Sequence, residues 1–218
     1  MIIHIFDCDG VITDTNNLKT IAFEETAIKY IPKEFISYLM DFHSKNGGKS
    51  RWEKFEYVKK KFSLDFLDID KLCQEFAKNV EISMFKQDLV LNIKEYIYQI
   101  SKKNDQIYVA SAGESKQIKR LLMHHKLNIK EENIFGSPEK KIEIVKKIRR
   151  KYEDNQIIFY GDSLHDAECA FAINAKFVFI YGYTCQKFLE IKDNFNIDLS
   201  VKDFSNLSLE NINRLLNN

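Results

Sequence analysis

The sequence lacks the features that most directly indicate an extracellular or membrane protein. Its four cysteines form no C-x-x-C pair and no metal-ligand spacing, which favours reduced thiols over a disulfide framework. No apolar run approaches the roughly 18 residues of a membrane-spanning helix, and the opening MIIHIFD has neither the basic start nor the long apolar region of a signal peptide. We therefore expect a soluble, cytoplasmic protein with no membrane partner.

A large net charge of either sign is also lacking. The 33 Lys and Arg residues balance 32 Asp and Glu residues, for a formal charge of +1, so no overall field favours nucleic acid as a partner. There is no internal repeat or low-complexity linker, and no obligate protein partner is evident. At 218 residues, the chain fits one sizeable domain or a core with a smaller insert, because single cores grow to about 250 residues.

Short apolar runs of strand length are present instead, and most end in small or polar residues. The sharpest runs cover 2–6, 106–110 and 156–160, and weaker ones cover 176–183 and 199–204, the last as an edge strand. The three sharpest lack clean alternation, as expected of parallel strands buried on both faces. Helical periodicity over 115–127 and 140–152 alternates with them, which predicts an α/β fold with a parallel sheet.

The stretch 16–85 interrupts this alternation with four helix-like segments and no convincing strand. Pro32 and the Asn46-Gly47-Gly48 cluster indicate turns between the segments. A helical block placed directly after the first strand predicts a second, smaller domain over the ligand crevice. We expect an α/β core formed by 1–15 and 86–218, and a helical cap domain formed by 16–85.

Two carboxylates, Asp7 and Asp9, follow the first predicted strand. Burying both without a partner would be costly, so a cation should lie between them. If side chains alternate, both can face one ion, and oxygen ligands favour Mg²⁺. Asp162 and Asp166 follow another predicted strand. If that strand neighbours the first, Asp162 completes the metal site and Asp166 orients it.

The middle polar cluster predicts an anion site. Ser111 and the backbone N–H groups of Ala112 and Gly113 precede a predicted helix, and a helix N-terminus offers unsatisfied donors and a partial positive charge. Lys140 or Lys141, behind the Gly-Ser-Pro turn, can add a cation.

These segments together resemble the four motifs of the haloacid dehalogenase superfamily. FDCDGVITD resembles the first motif, VASAG the second, GSPEKK the third and GDSLHD the fourth, in matching order and spacing. The resemblance implies a Rossmann-like parallel core. The helical insert resembles the cap of members that act on small phosphorylated metabolites, a group that includes phosphoglycolate phosphatases and β-phosphoglucomutases.

The resemblance also implies the catalytic roles. Asp7 would attack phosphorus to form an aspartyl-phosphate, and Asp9 would act as general acid and then as general base. Relatives that are true dehalogenases or phosphonate hydrolases lack a carboxylate at the position of Asp9, so its presence points to phosphate esters. Gly10 would let the chain turn away without crowding the phosphate.

The same resemblance implies which residues bind the phosphoryl group and which bind the metal ion. Ser111 and the amides that follow it would hold the transferring phosphoryl group, and Lys141, preferred over Lys140 for its spacing, would balance its charge. Mg²⁺ would be held by the Asp7 carboxylate, the Asp9 backbone carbonyl and Asp162, with Asp166 in support.

The cap contributes one candidate for substrate binding. Arg51 lies in 47–55, where such caps place a specificity loop, and its planar head suits an anionic or hydroxylated group. The resulting hypothesis is a Mg²⁺-dependent phosphatase for a small phosphorylated metabolite. Two alternatives stay open, namely a sugar phosphomutase on the same core and a non-catalytic binding module that keeps the fold.

Overall fold

A computed structural model describes residues 1–185 and 197–217 of the chain. Within them, six parallel strands form one sheet in the order β3-β2-β1-β4-β5-β6. The strands are β1 (Ile2–Phe6), β2 (Gln106–Glu114), β3 (Ile134–Ser137), β4 (Gln156–Gly161), β5 (Lys176–Ile180) and β6 (Leu199–Val201). The predicted α/β fold with a Rossmann-like parallel sheet is confirmed.

Both faces of the sheet are covered, which explains why the strands lack clean alternation. On β1, Ile3 and Ile5 pack into one hydrophobic cluster, whereas Phe6 packs into another on the opposite face. The helices that follow residue 85 are α5 (Ile93–Ser101), α6 (Ser115–His124), α7 (Lys141–Lys151), α8 (Leu164–Ala172) and α9 (Leu209–Asn217). Helices α5, α6 and α9 contribute to the Phe6 cluster, and α7 and α8 contribute to the other.

Four further helices lie between β1 and α5. They are α1 (Asn16–Tyr30), α2 (Lys33–Lys45), α3 (Arg51–Lys61) and α4 (Ile69–Met84), in agreement with the four predicted segments. Their apolar faces form a third hydrophobic cluster centred on Phe23, Phe55 and Phe76. The aromatic residues of this segment therefore serve mainly as the core of a small helical bundle.

The structure adds elements that the sequence patterns missed. Strand β3 was not predicted because it is only four residues long and ends in the Gly-Ser of the third motif. Strand β2 continues beyond the predicted 106–110, with an irregularity in its pairing to β3 between Ala110 and Glu114. Part of the predicted core segment, 186–196 together with residue 218, lies outside the described residues.

Two of the expected absences can be examined directly. All four cysteines are free. Among the described helices, none combines the length and apolar character needed to cross a bilayer.

Candidate active site

The four motifs meet at the carboxyl edge of the sheet because β1 lies between β2 and β4. Directly after β1, the Asp7 amide donates a hydrogen bond to the Tyr160 carbonyl of β4 at 2.9 Å. Its carboxylate also accepts from the Cys8 amide at 2.7 Å. The backbone of two neighbouring strands therefore fixes the position of Asp7.

Lys141 connects this carboxylate to the fourth motif. Its Nζ lies 2.8 Å from Asp7 Oδ1 and 2.7 Å from Asp166 Oδ1, and all three side chains are buried. Burial alone would lower the pKa of Lys141, but the carboxylates of Asp166 and Asp7 raise it above its usual value, so the side chain stays charged. Lys140, the other candidate, is exposed at the start of α7.

Carboxylate oxygens of Asp7, Asp162 and Asp166 lie within 4.8 Å of one another. Burial raises the pKa of Asp7 to about 7 even though Lys141 opposes this shift. Burial, followed by the charges of Asp166 and Asp7, also raises the pKa of Asp162 well above its usual value. Three carboxylates share one lysine, so full ionisation of the cluster is unfavourable without a further cation, and an oxygen-ligated divalent cation such as Mg²⁺ fits it.

The members of this cluster have different hydrogen-bond partners. Asp162 Oδ2 accepts from the Asn16 side chain at 2.7 Å. Asp166 Oδ1 accepts a hydrogen bond from Lys141. Asp166 Oδ2 accepts from the Ser163 amide at 3.0 Å and from the Ser163 hydroxyl at 2.6 Å, contacts that belong to the N-terminal cap of α8. With both oxygens engaged, Asp166 is suited to orienting the site rather than to binding an ion directly.

Gly10 provides the close approach between the first and fourth motifs. Its φ of +73° lies in the left-handed region, which glycine adopts without a steric penalty. A Cβ at this position would lie 2.3 Å from both Asp162 Oδ2 and Asn16 Nδ2. A side chain here would push Asp162 away from Asp7.

The second motif lies beside Asp7 on β2. Ser111 is fully buried, and its Oγ accepts a hydrogen bond from the Gly113 amide at 3.1 Å. The Ala112 carbonyl accepts from Ser137 Oγ at 2.7 Å. Both Ala112 and Asp7 line a small cavity of about 30 Å³, so the predicted anion-binding segment adjoins the carboxylate.

The Asp9 side chain lies outside the acidic cluster and pairs with Lys19, a partner that the sequence patterns did not indicate. Its Oδ2 lies 2.5 Å from Lys19 Nζ, and its Oδ1 accepts a hydrogen bond from the Thr15 hydroxyl. Burial alone would raise the pKa of Asp9, but the Lys19 charge lowers it below the usual value. The expectation that both carboxylates face one ion therefore does not describe the Asp9 side chain, because β1 ends at Phe6 and strict alternation stops there.

Lys19 could have been suggested by its place in the predicted first helix. It lies one turn into α1, which begins at Asn16, so its side chain can return toward the strand end. Sequence reasoning weighed the charges after each strand but not those on the helix that follows the first motif.

Arg51 reaches from the start of α3 to the end of β2. Its guanidinium is buried and lies 3.3 Å from Glu114 Oε2 and 3.1 Å from Gln117 Oε1. At Gly48, an added Cβ would lie 2.7 Å from His165 Cβ. The segment that contains Gly48 and Arg51 therefore contacts the end of β2 and the start of α8.

A protein-family model described as haloacid dehalogenase-like hydrolase matches residues 4–180, which is well over half of the chain. The chain belongs to this family. The match spans all four motif segments and the helical insert between the first and the second. None of the curated proteins searched matches the chain.

Solved structures of the family superpose over nearly the whole chain. β-Phosphoglucomutase from Clostridium difficile has a TM-score of 0.73 at 21% identity and covers 100% of this chain and 98% of its own. A family IA, variant 3 hydrolase from Entamoeba histolytica gives 0.76 at 14% identity, with 100% of both chains covered. CbbY from Rhodobacter sphaeroides, in complex with phosphate, gives 0.71 at 16% identity, covering 94% and 96%. At these identities the likeness supports the fold.

Replacing Lys141 should destabilise the protein far more than replacing its exposed neighbour. Lys141→Met leaves the buried Asp7 and Asp166 carboxylates without their counter-charge, and we expect the free energy of unfolding to fall by about 3–5 kcal/mol. Urea denaturation in EDTA measures this loss without compensation by divalent cations. The control, Lys140→Met, should stay within about 0.5 kcal/mol of the wild type. Equal effects of the two changes would contradict the assignment of Lys141 as the buried bridge.

Proposed function

We propose that the protein is a Mg²⁺-dependent phosphatase that hydrolyses a small phosphorylated metabolite through an aspartyl-phosphate on Asp7. The observation that carries this proposal is the placement of the Asp7 carboxylate, which contacts Lys141 and lies within 4.8 Å of two further buried carboxylates. Such a cluster suits a cation and, with it, a phosphate dianion. A phosphomonoester is the substrate class that uses both.

The proposed reaction has two displacements at phosphorus. In the first, an Asp7 oxygen attacks phosphorus, the bond to the ester oxygen breaks, and Asp9 donates a proton to the departing alcohol. In the second, Asp9 takes a proton from water, the water oxygen attacks phosphorus, and the bond between phosphorus and the Asp7 oxygen breaks, which yields inorganic phosphate and the free Asp7 carboxylate. The first displacement therefore needs a protonated Asp9, and the second needs an ionised Asp9.

The surrounding groups would stabilise the charge that moves onto the phosphoryl oxygens. Lys141, Ser111 and the amides of Ala112 and Gly113 would contact those oxygens. Mg²⁺, held by the carboxylates of Asp7 and Asp162 and by the Asp9 carbonyl, with Asp166 in support, would offset the remaining negative charge.

The helical segment 16–85 would act as the cap over a core formed by 1–15 and 86–218. Its own hydrophobic cluster and its contacts at Arg51 and Gly48 support this division. Arg51 would bind a polar part of the substrate, since it lines the same cavity as Asp9.

A sugar phosphomutase is the second candidate function. In that reaction the aspartyl-phosphate passes its phosphoryl group to another hydroxyl rather than to water. The likeness to β-phosphoglucomutase over the whole chain, cap segment included, favours keeping this candidate. A non-catalytic binding role is the remaining alternative, although every motif carboxylate is present.

The direct test measures phosphate release from a panel of phosphomonoesters with Mg²⁺ and with EDTA. We expect release only with Mg²⁺, and a fall of at least about 10³-fold in Asp7→Asn, because the nucleophile is lost. Asp154→Asn, at an exposed turn residue, serves as the control and should keep wild-type activity.

The same assay separates the alternatives. Interconversion of sugar-phosphate isomers without phosphate release would replace hydrolysis by the mutase reaction. Full turnover in Asp7→Asn would refute the nucleophile assignment. No turnover across the panel, with intact folding and Mg²⁺ binding, would favour the binding module.

Lys19 should control the pH range in which Asp9 can act as an acid. A general acid works while it is protonated, and the contact with Lys19 lowers the pKa of Asp9. Lys19→Met should raise that pKa and shift the alkaline limb of the kcat/KM profile to higher pH. The control is Lys33→Met, an exposed change on α2. An unchanged or downward-shifted limb in Lys19→Met would show that Lys19 does not govern the protonation of Asp9.

A further inference from the structure

A second cavity lies under the cap segment, next to the cavity that contains Asp7. It has a volume of about 60 Å³, several times the roughly 10–15 Å³ that one water molecule needs. Asp9, Asn16 and Ala112 line both cavities. A group bound in this second cavity can therefore belong to the same small molecule whose phosphoryl group lies at Asp7.

Lys54 is the unusual member of the second cavity. Its side chain is only 3% exposed, yet in residues 1–185 and 197–217 no carboxylate oxygen lies within 4 Å of its Nζ. The amine instead donates to His43 Nδ1 at 3.1 Å and to the Gly47 carbonyl at 3.3 Å. Because an ammonium has three N–H donors, these two acceptors leave one donor for a further group.

His43 holds Lys54 but cannot neutralise it. Thr20 Oγ1 donates its one hydrogen to the Asn16 carbonyl at 3.0 Å, so in its 3.0 Å contact with His43 it accepts from Nε2. With its proton on Nε2, the ring is neutral and Nδ1 accepts from Lys54. Burial, and then the charges of Lys54 and Lys19, lower the pKa of His43 to about 3, which agrees with a neutral ring.

Two buried lysines of this protein can be compared. Lys141 is also buried but contacts two carboxylates, so its charge is balanced within the chain. For Lys54, burial and the nearby Lys19 charge lower the pKa to about 7. A buried ammonium without an anion is unfavourable, and a ligand that brings one would remove this penalty.

Two other cations of the second cavity have acidic partners, whereas the half-buried Lys49 has no ion-pair partner among the described residues and lies over the Phe42 ring. Lys19 pairs with Asp9, and Arg51 lies 3.3 Å from Glu114. Lys54 is therefore a buried cation of this cavity with no ion-pair partner within 4 Å among the described residues, and the Asp9 charge favours its ammonium form only from farther away.

We propose that Lys54, held by His43, binds a second anionic group of the substrate, a carboxylate or a second phosphate, in the cavity beside Asp9. This inference rests on the proposed function, because it assumes that a phosphoryl group occupies the site at Asp7. It narrows the substrate class to phosphomonoesters that carry a further negative charge a few bonds from the ester.

A matched series of three-carbon esters tests the proposal. The probes are propanediol monophosphate, the phosphate ester of hydroxypropionic acid, and propanediol bisphosphate, which differ only in a neutral or an anionic distal group. Calorimetry measures their binding, with Mg²⁺ present, to Asp7→Asn protein, in which turnover is blocked. We expect at least one of the two anionic esters to bind about tenfold or more tightly than the neutral ester.

Lys54→Met, added to the same protein, should remove this preference with little change in affinity for the neutral ester. Lys60→Met, an exposed change on the same helix, should keep it. The Met variant should also be at least as stable as its parent, because it removes a buried charge that has no acidic partner. If the Lys54→Met variant does not fold, the Lys54→Gln variant is used in the same experiment.

The outcomes separate this proposal from the proposed function. Equal binding of all three esters, no binding of any, or a preference that survives in Lys54→Met would overturn the role of Lys54. Turnover of the neutral ester by wild-type protein would support the phosphatase independently of Lys54. A Lys54-dependent preference without any turnover would uphold the anion site and count against the phosphatase.

Discussion

The site depends on one buried interaction, the contact of the Lys141 ammonium with the carboxylates of Asp7 and Asp166. Lys141 Nζ lies 2.8 Å from one and 2.7 Å from the other, so three charges that would each be unfavourable alone are buried together. Asp7 follows β1, Asp166 lies on α8 after β4, and Lys141 begins α7 after β3. Three separate parts of the chain must therefore be in register before any of these charges is balanced.

The parallel sheet makes this arrangement possible. Since β1 lies between β2 and β4, the carboxyl ends of the strands bring the motifs to one edge, which is where ligands bind in open α/β sheets. The proposed cation would favour the ionised form of Asp162, and the proposed anion would balance the charge of Lys54 on the other side of the crevice. A substrate with a phosphoryl group and a second negative group would satisfy both sides of the crevice at once.

The fold was predictable because its determinants are local. Buried strands appear as apolar runs, and α6 and α7 follow a helical period, whereas the short β3 and the nine-residue helices α5 and α8 were not predicted. Within the site, order and spacing of the motifs indicated Asp7 and Asp162, and the structure brings Lys141 rather than Lys140 to Asp7. The contact between Lys19 and Asp9 and the isolation of Lys54 were not predictable, since both depend on how the α1–α4 bundle lies over the sheet edge. No sequence period encodes that tertiary contact.

The most direct test of this account is the mass of the peptide containing Asp7 after acid quenching of Asp9→Asn protein during turnover with Mg²⁺. Attack by Asp7 does not require Asp9 to activate water, whereas release of phosphate does. The account predicts that this peptide gains the mass of one phosphoryl group and that the gain is absent when Asp7 is also changed to Asn. Phosphate release by the Asp9→Asn protein with no such gain in mass, or a phosphoryl group on a different residue, would contradict it.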